Sequence, residues 1–324
     1  MLIPRSIVPM FLLATMVLGA GVVSGQNYPN KPIRIVTGSI GSSNDFLARI
    51  IAQGISGPLG QQVIVENRAT IVTAETVARA TPDGYTLLLA GDILWMGPLM
   101  RDEKSRAQQP DPVRDFSPIS LLGSAPLLVV VHPTFPAKTI QELIALAKAK
   151  PGELNYGKSS PGGTSHLGGE MLNTMAGINL VPIPYKGSGE IPAALITKQI
   201  HVGVITVGTA APHLKSGRLR ALAVTSLKPS AMAPGVPTVA ESGLPGYELV
   251  GINAMYAPAK TPVAIINRLN REIVRFLNTA DAREKYLALG AEVIASSPKE
   301  HAEKIKSQII NMGKVIKAAG IKLE

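Results

Sequence analysis

Short apolar runs alternate with longer stretches of helical period along most of this chain, and that alternation admits few folds. Ile33 to Thr37, Val63-Ile64-Val65, Tyr85 to Ala90 and Leu127 to Val131 read as strands. Between them a helix runs from about Asp45, with Leu47, Ile50, Ile51 and Ile55 on one face. A second helix is expected over Thr73 to Ala80, followed by a turn at Pro82-Asp83-Gly84. Strands that alternate with helices build mostly parallel sheets, so the class is α/β. Thr139 with Glu142 has the capping-box signature of a helix start, repeated at Thr238/Glu241 and Ser297/Glu300. Pro262 and Pro298 sit at first-turn positions of two closing helices, Pro262 to Asn278 and Pro298 to Ala318.

The pattern dissolves twice, in a charged zone from Asp92 to Pro118 and in a Pro-, Gly- and Ser-rich zone from Leu227 to Gly246. Two irregular zones around a central block imply one lobe inserted into another. The chain would cross near Ser124 and near Gly251. Lobe 1 is then residues 26–124 with 252–324, and lobe 2 is residues 125–251.

The first 25 residues carry one charge, Arg5, and are mostly apolar from Ile7 to Ala20. Small residues at Val23 and Gly25 fit an export signal cut near Gln26. The apolar core is too short for a membrane span. The rest, about 300 residues, is enough for two lobes. Cysteine is absent, which excludes disulfides, thiol catalysis and a lipidated N-terminal cysteine. The net charge of +10 becomes +9 without Arg5, a balance that either draws in small acids or serves only solubility. Basic residues are scattered and aromatics are only 4%, so nucleic acid is not the expected partner.

The densest chemistry runs from Asn155 to Glu170 and on to Tyr185-Lys186-Gly187-Ser188. Lys158, Ser159, Ser160, Gly162, Gly163, Thr164, Ser165 and His166 crowd donors into a loop with little bulk. Glycines let backbone amides turn toward a guest. A helix starting near Thr164 aims its free amides and positive dipole end at the same place. This is a site for a small anion, most simply a carboxylate.

Gly152, Gly157, Lys158 and Ser159 also satisfy the phosphate-loop spacing, but as a decoy. That motif needs a strand before its first glycine and a helix at its lysine. Here Leu154-Asn155-Tyr156 reads as the strand itself, and Pro161 opposes a helix at Ser160. His166, His201 and His213 lack metal-ligand spacing, so no metal and no cofactor are expected. His166 follows Ser165, but there is no GxSxG elbow and helix neighbours do not face each other, so no catalytic residues are assigned.

The chain resembles the periplasmic solute receptors of the tripartite tricarboxylate transporter family. The matching pieces include Tyr28-Pro29-Asn30-Lys31-Pro32, Val65-Glu66-Asn67-Arg68, Pro82-Asp83-Gly84-Tyr85-Thr86 and Val131-His132-Pro133. Leu154-Asn155-Tyr156-Gly157, Thr164-Ser165-His166-Leu167, Pro184-Tyr185-Lys186-Gly187-Ser188, Arg220-Ala221-Leu222-Ala223 and Pro237-Thr238-Val239 continue the series in order. The resemblance implies a two-lobe periplasmic-binding-protein type II fold with a hinge of two crossing strands. It also implies a monomer that captures a small organic acid and delivers it to a membrane permease. The first-lobe loops depart from the family: Thr37 to Asp45 has serines for most of the glycines, and Ala69-Thr70-Ile71-Val72-Thr73 has neither glycine nor asparagine. Asp92 places an acid where small polar residues are usual.

Charge-assisted hydrogen bonds contribute about 1.5–3 kcal/mol each, and micromolar affinity needs about 8 kcal/mol. A handful of donors from two lobes is therefore sufficient. The candidates are Ser42, Ser43, Asp45 and Thr73 in lobe 1, with Ser159, Ser160, Thr164, Ser165, Lys186 and Thr206 in lobe 2. Each hydroxyl can equally serve as a helix cap. Asp45 would suit a ligand amine or hydroxyl, or simply the first turn of its helix. Lys186 can pair with the ligand or sit solvated on the rim. A ligand sensor for a membrane signalling partner and an exported enzyme are the rival readings.

Overall fold

The computed structural model describes residues 28–159 and 162–322. The expected export signal and the cut near Gln26 lie outside the described residues. Ten strands form one curled sheet: β1 Ile33–Thr37, β2 Val63–Asn67, β3 Thr86–Gly91, β4 Phe116–Val131, β5 Asn155–Lys158, β6 Val181–Pro184, β7 Val202–Thr206, β8 Arg220–Val224, β9 Val250–Pro258 and β10 Glu292–Val293. The helices are α1 Ser43–Leu59, α2 Thr70–Ala78, α3 Ile93–Met96, α4 Glu103–Ala107, α5 Ile140–Ala149, α6 Thr164–Ala176, α7 Ile191–Ile196, α8 Val207–Lys215, α9 Val263–Leu277, α10 Ala280–Ala288 and α11 Pro298–Ala318.

Two parallel sets of strands are stitched together by two long antiparallel strands. β2, β1 and β3 are parallel, and β3 pairs with β9. β6, β5 and β7 are parallel, and β7 pairs with β4. β4 and β9 pair with each other from Phe116↔Pro258 to Pro126↔Val250. The register fixes where each set ends. β3 finishes at Gly91, opposite Asn253, which is opposite Gly123. β7 runs the other way along β4, from Val131 back to Leu127, where it finishes at Thr206. The carboxyl ends of the two sets therefore converge on a short stretch of β4 from opposite directions. Ligands of open α/β sheets bind outside strand carboxyl ends.

One buried cluster lies wholly on β1, β3, α1, α9 and their neighbours, including Ile35, Ile51, Leu87 and Leu269. Another lies on β7, α7, α8 and the end of β4, including Leu128, Ile191, Leu195 and Ile205. A third runs through both halves: Met312, Val315 and Ile316 of α11 join Trp95 and Met96 to Leu172 and Ala176.

Several elements differ from the sequence reading. β4 begins at Phe116 rather than Leu127. Ser117, Pro118, Ser120, Gly123 and Ser124 hide its first half, because they break any apolar alternation. Pro118 is tolerated where the β4–β9 register shifts, between Pro118 and Ser120. The charged zone contains α3 and α4. α2 starts at Thr70, ahead of Thr73. Thr238 and Glu241 do exchange the reciprocal bonds of a capping box, but they close a turn and not a helix. The phosphate-loop decoy is resolved by β5, which contains Gly157 and Lys158. A Cβ on Gly157 would press into Ile200 and Ile191, so that glycine serves packing.

Glycine in a helix interior is unfavourable by about 0.5–1 kcal/mol, yet α6 carries Gly168 and Gly169 in sequence. They let the helix lie directly on the sheet. A Cβ on Gly169 would overlap the Tyr156 ring. That ring cannot swing aside, since it is fully buried and its hydroxyl donates to Glu170 Oε1 at 2.7 Å. Gly169→Ala is expected to lose about 1–3 kcal/mol of stability, read as a lowered urea midpoint with an unchanged slope. A midpoint equal to the parent's would contradict this packing account.

Candidate functional site

The first corner is built where β1 ends. Thr37 is buried and its hydroxyl donates to Leu89 O at 3.1 Å. Gly41 takes a left-handed turn at φ +79, which a side chain would resist. Ser42 then caps α1, its Oγ accepting from Asp45 N at 3.2 Å. Asp45 is 2% exposed and saturated with donors. It accepts from Gly41 N at 2.9 Å, Asn67 Nδ2 at 2.9 Å and Arg49 Nη2 at 3.0 Å. Asn67 Nδ2 also donates to Gly38 O at 2.8 Å. Asp45 therefore braces the loop from within. Ser43 is exposed beside it. Asn44 Oδ1 accepts from Asn253 Nδ2 at 2.5 Å, which ties α1 to the hinge strand β9.

A cavity of about 270 Å³ opens at the ends of β1 and β3. Asn44, Thr73, Arg101 and Gln109 supply its polar lining, and Leu89, Ala90 and Leu94 part of its apolar wall. Among the described residues no carboxylate lines it.

The second corner follows β5. Ser165 is fully buried; its hydroxyl donates to Ser159 Oγ at 2.8 Å and accepts from Ser159 N at 2.8 Å. Gly162 N donates to His166 Nδ1 at 3.2 Å, which folds the loop onto the first turn of α6. Burial, with Lys158 nearby, holds His166 below the usual histidine range. The N-cap of α6 is Gly163, and among the described residues no side chain caps the helix. Its leading amides are left for a guest or water. Thr164 is half-buried at this helix start. Lys186 is exposed on the next loop, its backbone N–H donating to Glu190 at 3.3 Å. Thr206 caps α8, with its hydroxyl 2.8 Å from that of Thr209.

The sequence candidates thus fall into separate groups. Thr73 lines the first cavity, with Ser42, Ser43 and Asp45 on the adjoining helix start. Ser159, Thr164 and Ser165 gather at α6, while Lys186 and Thr206 stand on neighbouring loops. Ser160 lies outside the described residues. Sequence reasoning missed Asn44, Asn253, Arg101 and Gln109. Asn44 sits within the flagged run from Ser42 to Asp45 and could have been included. Arg101 and Gln109 lie in the zone without periodicity, where no pattern could place them.

Two acids near the first corner behave oppositely. Burial opposes charge on Asp45, but the bonds from Gly41, Asn67 and Arg49 outweigh it and hold the carboxyl below its usual range. Its stabilisation is full above an unfolded value of about 4 and fades as pH falls. Desolvation pushes the Asp92 carboxyl up to about 7, only partly offset by the bond from Ile252 N. Between about pH 4 and 7 the folded chain keeps a proton there that the unfolded chain has lost, so stability falls as pH rises. In urea unfolding series, Asp45→Asn is expected to lose more at neutral pH than at about pH 3, and Asp92→Asn to gain on the parent as pH rises to about 8. Variants that track the parent at every pH would contradict both assignments.

A family model described as "Tripartite tricarboxylate transporter family receptor" matches residues 47–321. Protein BugT of Bordetella pertussis is 34% identical over 310 residues, covering 94% of each chain. An R. palustris protein solved with adipate is 31% identical, with a TM-score of 0.69, over 91% of this chain and 99% of that one. MatC from Rhodopseudomonas palustris with bound malate is 26% identical, with a TM-score of 0.66, over 89% of this chain and all of the other.

Proposed function

Because the chain belongs to the tripartite tricarboxylate transporter receptor family, we propose that it captures a small carboxylate between its two halves and hands it to a membrane permease. The observation that carries this reading is the convergence of two sets of strand ends on one stretch of β4. Each set presents a helix start at that seam, one braced and one without a side-chain cap. Carboxylates are favoured at such helix starts. The adipate and malate held by two relatives support the ligand class.

The halves act as lobes, residues 26–124 with 252–324 and residues 125–251, and they close by bending β4 and β9. The handover on β4, from Pro126 opposite Val250 to Leu127 opposite Thr206, supports that boundary. α11 lies across the seam and must slide or flex with it. The chain is exported, cut near Gln26, and works in the periplasm as a monomer without nucleic acid. Among the described residues no helix is long and apolar enough to cross a membrane. The acid is carried, not transformed.

Calorimetry of the chain against dicarboxylates, tricarboxylates, aromatic acids and acidic amino acids tests the reading. At least one acid is expected to bind with a Kd of about micromolar or tighter and to be recovered unchanged. Silence across the whole panel, or recovery of a converted product, would contradict it.

A further inference from the structure

Arg101 stands out among the charged groups of the molecule. It follows the short helical turn Gly97–Met100 and is half-buried against the first cavity. Its Nε is buried and has no hydrogen-bond partner. Guanidinium groups removed from water are normally matched by a carboxylate or a carbonyl. Of the acids near it in sequence, the exposed Glu103 forms no ion pair with it among the described residues, and Asp102 and Asp92 are engaged elsewhere. Asp102 accepts from Ser105 N at 2.8 Å and from Ser105 Oγ at 3.0 Å. Asp92 Oδ1 accepts from Ile252 N at 3.0 Å. Among the described residues Arg101 forms no ion pair, whereas the arginines of α9 surround the buried Glu272. The rest of the polar lining, from Asn44, Thr73 and Gln109, is uncharged.

We infer that Arg101 is the anion anchor of the first half and determines which acids the protein accepts. This inference rests on the carboxylate reading above. With Nε enclosed, the two terminal nitrogens of the guanidinium present N–H groups in one plane, which match the two oxygens of a carboxylate. The ligand is then an acid with one carboxylate on a short apolar arm. That arm lies against Leu89, Ala90 and Leu94, and the carboxylate is received by Arg101 with Gln109 beside it. About 270 Å³ is just under the usual range of small-molecule pockets, which limits the occupant to a small acid or one arm of it. Lysine at this position would keep the charge but lose the fork.

The test is calorimetry of the full chain with adipate, malate and the monoamide of each. Parent, Arg101→Gln and Arg101→Lys are compared, with melting temperatures of the unliganded proteins as a control for folding. Arg101→Gln is expected to raise the Kd of the bound diacid about 10- to 100-fold, and Arg101→Lys less, with melting temperatures unchanged. The monoamide is expected to bind the parent more weakly than the diacid, and to lose less than the diacid on Arg101→Gln. Equal diacid affinities in parent and Arg101→Gln would overturn the anchor while leaving the acid-receptor reading intact. Failure of the parent to bind adipate, malate or any other panel acid would overturn that reading itself, and the anchor with it.

Discussion

The antiparallel pairing of β4 with β9 is the constraint on which the site depends. β3 joins one side of that pair and β7 the other, and each is antiparallel to the strand it joins. Two parallel sets are thereby forced to run toward each other. Every helix that follows β1, β2, β3, β5 or β7 begins at the meeting point as a consequence of direction alone. A one-residue slip between β4 and β9 would turn one set's faces over. The hinge is therefore also the element that aligns the two corners. The Asn44–Asn253 bond connects one corner directly to it.

The two corners are made differently. The first is closed from behind by Asp45, Asn67 and Arg49, so that its loop has few free donors. The donor we assign to it is a side chain, the terminal nitrogens of Arg101. The second has an uncapped helix start, seated close to the sheet by Gly168 and Gly169. A preorganised site needs donors already held in place, since ordering them on binding subtracts from affinity. Both constructions achieve this, one by a buried carboxylate and the other by glycine packing.

Much of this was legible in the residues. β1, α1 and β3 announce themselves through continuous apolar runs and a helical face at Leu47, Ile51 and Ile55. The loop from Lys158 to Ser165 was visible as a cluster of small polar residues, and the order of family motifs pointed to the family. β4 was half hidden, because a hinge strand paired on both edges needs no apolar alternation and can hold Pro118 at a register shift. Asp45 reads from sequence equally as a ligand contact or as a first-turn charge, because sequence shows a carboxylate beside serines but not the three donors that fold around it. Arg101 was out of reach for a different reason. It belongs to a segment whose position is set by tertiary packing, with Leu94, Trp95 and Met96 buried and nothing periodic on the surface.

The central claim is that an acid bridges two halves that close on β4 and β9. The chain has no cysteine, so two can be introduced cleanly at Ile40 and Lys186, both exposed and one on each side of the seam. Spin labels on Ile40→Cys and Lys186→Cys would report the distance between the corners with and without an acid that calorimetry has shown to bind. The account expects that distance to shorten, and its distribution to narrow, when the acid is present. Full occupancy by the acid with an unchanged distance distribution would contradict it.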